Sequence, residues 1–460
     1  MRRTVVLNVV GLTRSLLTDM PRLSAFAREG QAAWIRPAFP AVTCTAQSAY
    51  LTGLPPAQHG IVGNGWYDRD LAEVHFWKQS NHLVTGPKLW DKLRAQDPRF
   101  TCAQLFWWYN MHASVDWSIT PRPLYPADGR KVFDIHTGPL SLRAKIKEDL
   151  GEFPFHQFWG PAAGIASSQW IAASARWIEE KHQPTLNLVY LPHLDYNLQR
   201  LGPNDPKIKS DLLLVDELVG DLISYFQQRS VQVAVLSEYG ITEVDTPIHL
   251  NRLFRRHGWL ALKDELGLET LDCGASKVFA VADHQVAHIY LNDASLETKV
   301  RAALEAEPGV ESIWDRPSQE KLGLAHRRSG DLIVVAKPRR WFTYYFWEDD
   351  ALAPDFARTV DIHRKIGYDP AELFIDPRLR WPKLRIAAFL LRKKLGLRGL
   401  LNVIPLDASL VRGSHGRCPE DENDWPLLLT EKHHVMSHAA KLPDAIVVHE
   451  ELLRYINPTP

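Results

Sequence analysis

Short apolar runs separated by helical periodicity constrain this chain most. "TVVLNVV" (Thr4–Val10), "LNLVYL" (Leu186–Leu191) and "VQVAVL" (Val231–Leu236) are apolar at nearly every position rather than at every second one. Strands of that kind are buried on both faces, as in a parallel sheet held between two layers of helices. Similar runs occur at Ala32–Arg36, Phe100–Phe106, Lys277–Val281, Ala287–Leu291, Asp331–Ala336 and Leu427–Leu429. Between them, Ser167–His182 and Ser210–Arg229 repeat apolar residues at three- and four-residue spacing, the second behind Ser210 as a helix N-cap. This alternation predicts an α/β fold, a three-layer sandwich with a central, mostly parallel sheet, over 1–460 as a single domain. Two aromatic-rich segments interrupt it, at about 65–183 ("LFWWYNMHASVDW") and 338–405 ("WFTYYFW"), and read as lid-like insertions over one end of the sheet. Their aromatics either pack insert against core or shape a cover for a planar or apolar part of a substrate.

Composition narrows the function classes. Lys and Arg number 54 and Asp and Glu 54, so no overall field draws the chain to a nucleic-acid polymer. The four cysteines, Cys44, Cys102, Cys273 and Cys418, lack CxxC spacing, which argues against a disulfide framework or structural zinc and for a reducing, cytoplasmic location. "MRRTVVLNVVGL" places two arginines before apolar residues as a signal sequence does. Asn8 breaks the run and no small-residue cleavage site follows, so it reads as the first strand. No stretch approaches the roughly 20 apolar residues of a transmembrane helix. The basic segment 378–398 is different in kind. Leu384, Ala387, Ala388, Leu391 and Leu395 share a helix face, with Arg385, Arg392, Lys393 and Lys394 around them. That pattern reads as a solvated surface helix or as a contact with a membrane surface.

The chemistry-bearing residues lie where strands end, which is where open α/β sheets build their sites. "FPAVTCTAQSAYLTGLPPAQHGIVGN" (Phe39–Asn64) puts Thr43 at the start of a helix-compatible stretch, where free peptide N–H groups favour an oxyanion. "YLPHLDYNLQRLGP" puts Asp195 just after a strand. "SEYGITEVD" does the same for Glu238 and Tyr239, and "VRGSHGRCPEDENDWPLLL" sets His415 in a glycine-flanked loop. Singly, each has a plain reading as a cap, a turn residue or a loop histidine.

Together, in this order, they resemble the alkaline phosphatase superfamily and its type I phosphodiesterase/nucleotide pyrophosphatase branch. "TGLPPAQHGIVGN" and "RGSHG…WPLLL" are the most specific pieces, and the likeness runs from Val5 to Leu429. It implies a doubly wound sheet carrying two metal ions, usually zinc, with a Thr or Ser nucleophile between them that attacks phosphorus. By this resemblance Thr43 is the nucleophile, Asn64 holds a phosphate oxygen, Asp195 and His415 belong to the first metal, and Glu238 replaces an aspartate of the second. Three ligands do not carry over. Val10 stands for an aspartate, Gln199 for the histidine four residues after Asp195, and Tyr239 for the histidine of Asp-His-Gly.

An unmodified two-zinc centre is therefore excluded. Asp195, Gln199, Glu238 and His415 remain as the set for one divalent ion, zinc, manganese or magnesium. His193, His249 and His363 are possible replacement ligands. Tyr239 either fills the volume of the absent metal or offers its hydroxyl to a phosphate or leaving group. Cys44 lacks a neighbouring cation or histidine to lower its pKa and is a poor nucleophile. Three functions follow. The first is a hydrolase or phosphoryl transferase acting on a small phosphodiester, pyrophosphate or phosphomonoester. The second is a pseudoenzyme that keeps the scaffold for binding a phosphorylated metabolite or a partner. The third is a metal-independent enzyme in the same pocket.

Overall fold

The computed structural model describes residues 1–438 and 441–458. Its centre is a nine-stranded sheet among the described residues. In chain order the strands are β1 (Thr4–Val9), β2 (Gln31–Ile35), β3 (Cys102–Leu105), β4 (Trp117–Pro121), β5 (Ile135–Gly138), β6 (Leu186–Leu191), β7 (Gln232–Leu236), β8 (Leu427–Thr430) and β9 (Lys441–Leu442). They lie side by side as β9-β2-β8-β7-β1-β6-β3-β4-β5. The centre is parallel: β1 pairs with β6 and β7, and β3 pairs with β6 and β4. The antiparallel pairings are β4 with β5 and β8 with β2 and β7.

Every residue of β1, β6 and β7 is buried, as their unbroken apolar character requires. Three of the helices that cover the sheet also serve the site or pack beside it: α1 (Thr43–Thr52), α2 (Ile165–His182) and α3 (His193–Leu201). The strand register aligns Asn8 with Tyr190 on one side and with Leu236 on the other. The chain leaving β6 into α3 and the chain leaving β7 into Ser237–Tyr239 therefore emerge side by side, flanking the end of β1.

Two expectations change. Three of the predicted strands belong to a second sheet, not to the central one. Val278–Asp283, Val286–Leu291, Leu332–Ala336 and Val310–Trp314 form a four-stranded antiparallel sheet with its own apolar core. The reason is local: two residues, His284 and Gln285, join the first pair, and a link that short closes only an antiparallel hairpin. Second, the segment at about 65–183 does more than cover the sheet, because it supplies β3, β4 and β5. The "WFTYYFW" run of the other insertion is interior packing. Trp341, Tyr344, Tyr345, Phe346 and Trp347 are buried in one cluster with Phe279, Val281 and Tyr290.

Candidate functional site

Thr43 is the first residue of α1, behind Val42 in extended backbone, and the whole helix is buried. Asn64, expected to hold a phosphate oxygen, is engaged within the protein instead. Its side-chain oxygen accepts from the Cys44 N–H (3.1 Å), while its own amide groups donate to Asp283 at 2.7 and 3.1 Å. Asn64 thus braces the helix N-terminus against the hairpin of the second sheet.

Glu238 and Tyr239 leave β7 in a turn that Gly240 makes possible. A Cβ there would lie 1.8 Å from the Asp424 carbonyl oxygen. Gly413 has the same role beside α3, where a Cβ would meet the Leu198 carbonyl at 2.0 Å, and it lets the loop bring His415 in.

Two hydrogen-bond networks surround the buried carboxyls Asp195 and Glu238, and the first reaches Thr43. In the first, the Thr43 hydroxyl lies 3.1 Å from the Tyr239 hydroxyl, which donates to Asp195 Oδ1 at 3.2 Å. Gln199, one turn along α3, donates its amide to Asp195 Oδ2 (2.8 Å) and accepts from the Tyr368 hydroxyl (3.0 Å). In the second, Glu238 Oε1 accepts from Asn8 and Gln47, both at 2.6 Å, and its other oxygen has no partner. Gln47 in turn accepts from the Trp108 backbone N–H at 2.7 Å.

Rings fill the space between these networks. Tyr239 stacks on His415 (centroids 3.6 Å, planes 8° apart), His415 lies 3.7 Å from His284, and His284 lies 3.6 Å from Tyr368. Trp77 and Trp159 approach Tyr368 at 6.1 and 5.7 Å, and Trp108 packs on Trp77. Aromatics of the 65–183 segment thus pack on Tyr368 of the other insertion beside the site.

Burial sets the protonation states. It pushes the Asp195 carboxyl up to about 7 against hydrogen bonds from Tyr239 and Gln199. It pushes Glu238 up to about 8, against bonds chiefly from Gln47 and Asn8. Asp283 rises to about 6 for the same reason, opposed first by the Asn64 N–H. His284 and His415 are driven well below the ordinary imidazole range, chiefly by desolvation. His415 Nδ1 donates to the Ala41 carbonyl at 2.7 Å, so its Nε2 is the unprotonated nitrogen and lies 3.9 Å from Asp195.

As arranged, these residues do not fit a metal centre. Among the described residues no group of three or more His, Cys, Asp or Glu side chains is disposed to hold an ion. The Gln199 oxygen is engaged by Tyr368, its amide NH₂ faces Asp195, and the Tyr239 hydroxyl stands between Thr43 and Asp195. Glu238 is turned to Asn8 and Gln47 instead of joining Asp195 and His415. The replacement histidines do not help. His193 pairs with Asp211 (3.0 Å) and His249 with Thr343 (2.7 Å), while His363 is hydrogen-bonded to the Phe76 backbone.

Sequence reading did not single out Asp283, His284, Gln47 or Tyr368 for the site. The one local signal was two adjacent polar residues, Asp283 and His284, at the end of a buried strand that turns back at once.

The comparisons with known proteins agree with this architecture. The family model for type I phosphodiesterase/nucleotide pyrophosphatase matches residues 4–369. An uncharacterized pyrophosphatase/phosphodiesterase of Schizosaccharomyces pombe is 25% identical over 254 residues, 52% of this chain and 45% of that protein. The chain thus matches about half the length of that curated relative. Among solved structures, murine ectonucleotide pyrophosphatase/phosphodiesterase 5, as an inactive variant in complex with AMP, superposes with a TM-score of 0.59 at 14% identity. The match covers 100% of this chain and 96% of that one. Phosphonoacetate hydrolase from Sinorhizobium meliloti, in complex with phosphonoformate, gives 0.61 at 13% identity, covering 99% and 96%. With a family model matched over most of its length, on the sheet and the strand-end site just described, the chain belongs to the type I phosphodiesterase/nucleotide pyrophosphatase family of the alkaline phosphatase superfamily.

Proposed function

We propose that this chain hydrolyses a small phosphodiester, pyrophosphate or phosphomonoester with Thr43 as nucleophile, and that a proton relay replaces the metal that activates the nucleophile in the family. The carrying observation is the continuous contact from Thr43 through Tyr239 to Asp195, at 3.1 and 3.2 Å. Asp195, raised by burial to about 7, is matched to a general base near neutral pH. The Thr43 oxygen attacks phosphorus as its proton passes to the Tyr239 oxygen and the Tyr239 proton passes to Asp195. The P–O bond to the leaving group breaks, and that oxygen takes a proton from water. The hydroxide so formed attacks the phosphothreonine, and the Thr43 oxygen departs with the proton returned from Asp195 through Tyr239. The first turn of α1 supplies peptide N–H groups suited to an anion. The site must open for substrate, since Thr43, Asp195, Gln199, Glu238, Tyr239 and His415 are all buried. A nucleoside phosphate is the first substrate class to try, given the AMP complex of the murine relative.

The test is turnover of nucleoside phosphates, pyrophosphates and simple diesters by wild type and Thr43→Ala, in chelator and with zinc, manganese or magnesium. Turnover in chelator, with a phosphoryl mass trapped on the wild-type Thr43 peptide and both lost in Thr43→Ala, supports the relay. One tightly held ion per chain, needed for turnover and lost in Asp195→Ala or His415→Ala, restores the one-ion centre instead. A second reading, a pseudoenzyme that binds without turnover, is favoured by the ring column filling the space beside Thr43. Binding of a phosphorylated ligand with no turnover under any of these conditions would select it.

A further inference from the structure

The helix Pro382–Lys394 has no buried residue. It is fixed to the body on one side only: Ile386 packs against a small cluster of Ala371, Val403 and Ile404, and Phe389 is half-buried. The opposite side carries Leu384, Ala388, Leu391 and Leu395, spaced four, three and four residues apart and so aligned along the helix. Leu384, Leu391 and Leu395 are 65%, 60% and 68% exposed, and Trp381 at the head of the helix is 74% exposed. Leu397 and Leu400 extend the exposed apolar surface past the helix end. Soluble surfaces scatter single leucines; an aligned row with a tryptophan at its end marks a contact.

Charge identifies the contact. Arg385 and Arg392 border the row on one edge and Lys383 and Lys394 on the other, by helical spacing. No Asp or Glu occurs between Asp376 and Asp407, while segment 378–398 holds eight Arg and Lys side chains. Among the described residues, none of the Arg and Lys side chains from Arg380 to Lys394 forms an ion pair. The helix has 13 residues, and no helix among the described residues is long and apolar enough to cross a membrane. An apolar row lined on both edges by cations, with an interfacial tryptophan, suits the plane of an anionic bilayer: leucines enter the acyl boundary and cations reach the headgroups.

We propose that Pro382–Lys394 with its flanks, Trp381 and 395–400, docks this protein on the surface of an anionic phospholipid membrane. The inference is independent of what the strand-end site does. Sedimentation of the full chain with vesicles tests it, using phosphatidylcholine alone and phosphatidylcholine mixed with phosphatidylglycerol. The expected result is binding to the mixed vesicles that weakens as salt rises, with little binding to the neutral ones. Arg385→Gln/Arg392→Gln/Lys394→Gln lowers the partition coefficient about fivefold per cation removed. Leu384→Ser/Leu391→Ser lowers it with the charges intact, which a purely electrostatic contact would not show. These positions are exposed, so an unchanged melting temperature is expected and checks that the variants fold. Three results overturn the proposal: no binding to mixed vesicles, binding unaffected by both variants, or binding to an acidic polypeptide such as polyglutamate but not to lipid.

Discussion

Asp195 and Glu238 are both buried carboxyls just beyond the two parallel strands that flank β1, yet they are held in opposite ways. Asp195 meets the hydroxyl of Tyr239 and the amide of Gln199, and through Tyr239 it reaches Thr43. Glu238 is fixed on one oxygen by the amides of Asn8 and Gln47, on the first strand and on α1. Hydroxyls exchange protons readily and amides do not. The Asp195 side can therefore move a proton, whereas the Glu238 side joins strand to helix. In the family pattern both positions are metal ligands; under the proposed relay one would keep a chemical role and the other a structural one.

Thr43→Ala breaks the chemical side outright. Turnover falls by about a thousandfold or more while the melting temperature stays near wild type, because a nucleophile leaves no reduced version of its step. Tyr239→Phe sharpens the contrast. It keeps the ring on His415 and removes the bridging hydroxyl, so kcat falls about a hundredfold with a stability loss of about 1 kcal/mol. Glu238→Ala acts on the other ledger, stability: two buried amide donors lose their acceptor, at about 3 kcal/mol by denaturant unfolding. Glu238→Gln keeps an acceptor oxygen for both and stays within about 1 kcal/mol of wild type, with turnover preserved. Equal losses of turnover in Tyr239→Phe and Glu238→Gln would erase the distinction.

The pH dependence separates activity from stability. The base form of Asp195 grows as pH rises through about 7, so kcat/KM climbs and levels above it. Stability moves the other way. Asp195 and Glu238 have folded values near 7 and 8, above their unfolded values, so the native state holds protons that the unfolded chain releases. Their contribution is fully present below about pH 4, declines from there to about pH 8, and is then gone. Denaturation midpoints measured across that range check it. Asp195→Asn flattens the lower part of the decline and Glu238→Gln the upper part.

The frame of the molecule was legible in the sequence. Continuous apolar runs identified β1, β6 and β7, and motif order singled out Thr43, Asp195, Glu238 and His415, which the structure gathers around Tyr239. The residues that define the chemistry around them were not. Asp283 and His284 arrive on the hairpin of a second sheet, and Tyr368 from an irregular stretch of another insertion. No periodicity encodes where such side chains point, because tertiary packing sets it. Gln47 was hidden differently: it lies on α1, one turn beyond Thr43, where a glutamine is an ordinary helix residue.

The aromatic packing around Tyr368 has an optical consequence. Tyr368 caps the ring column and lies between two indoles, Trp77 at 6.1 Å and Trp159 at 5.7 Å, and the Trp159 N–H donates to Glu372 at 2.6 Å. Entry of a substrate past that cap would wet both indoles and shift their emission to longer wavelength. Intrinsic fluorescence, read against Trp77→Phe and Trp159→Phe, thus becomes a label-free clock for entry and release, with no need for a chromogenic substrate.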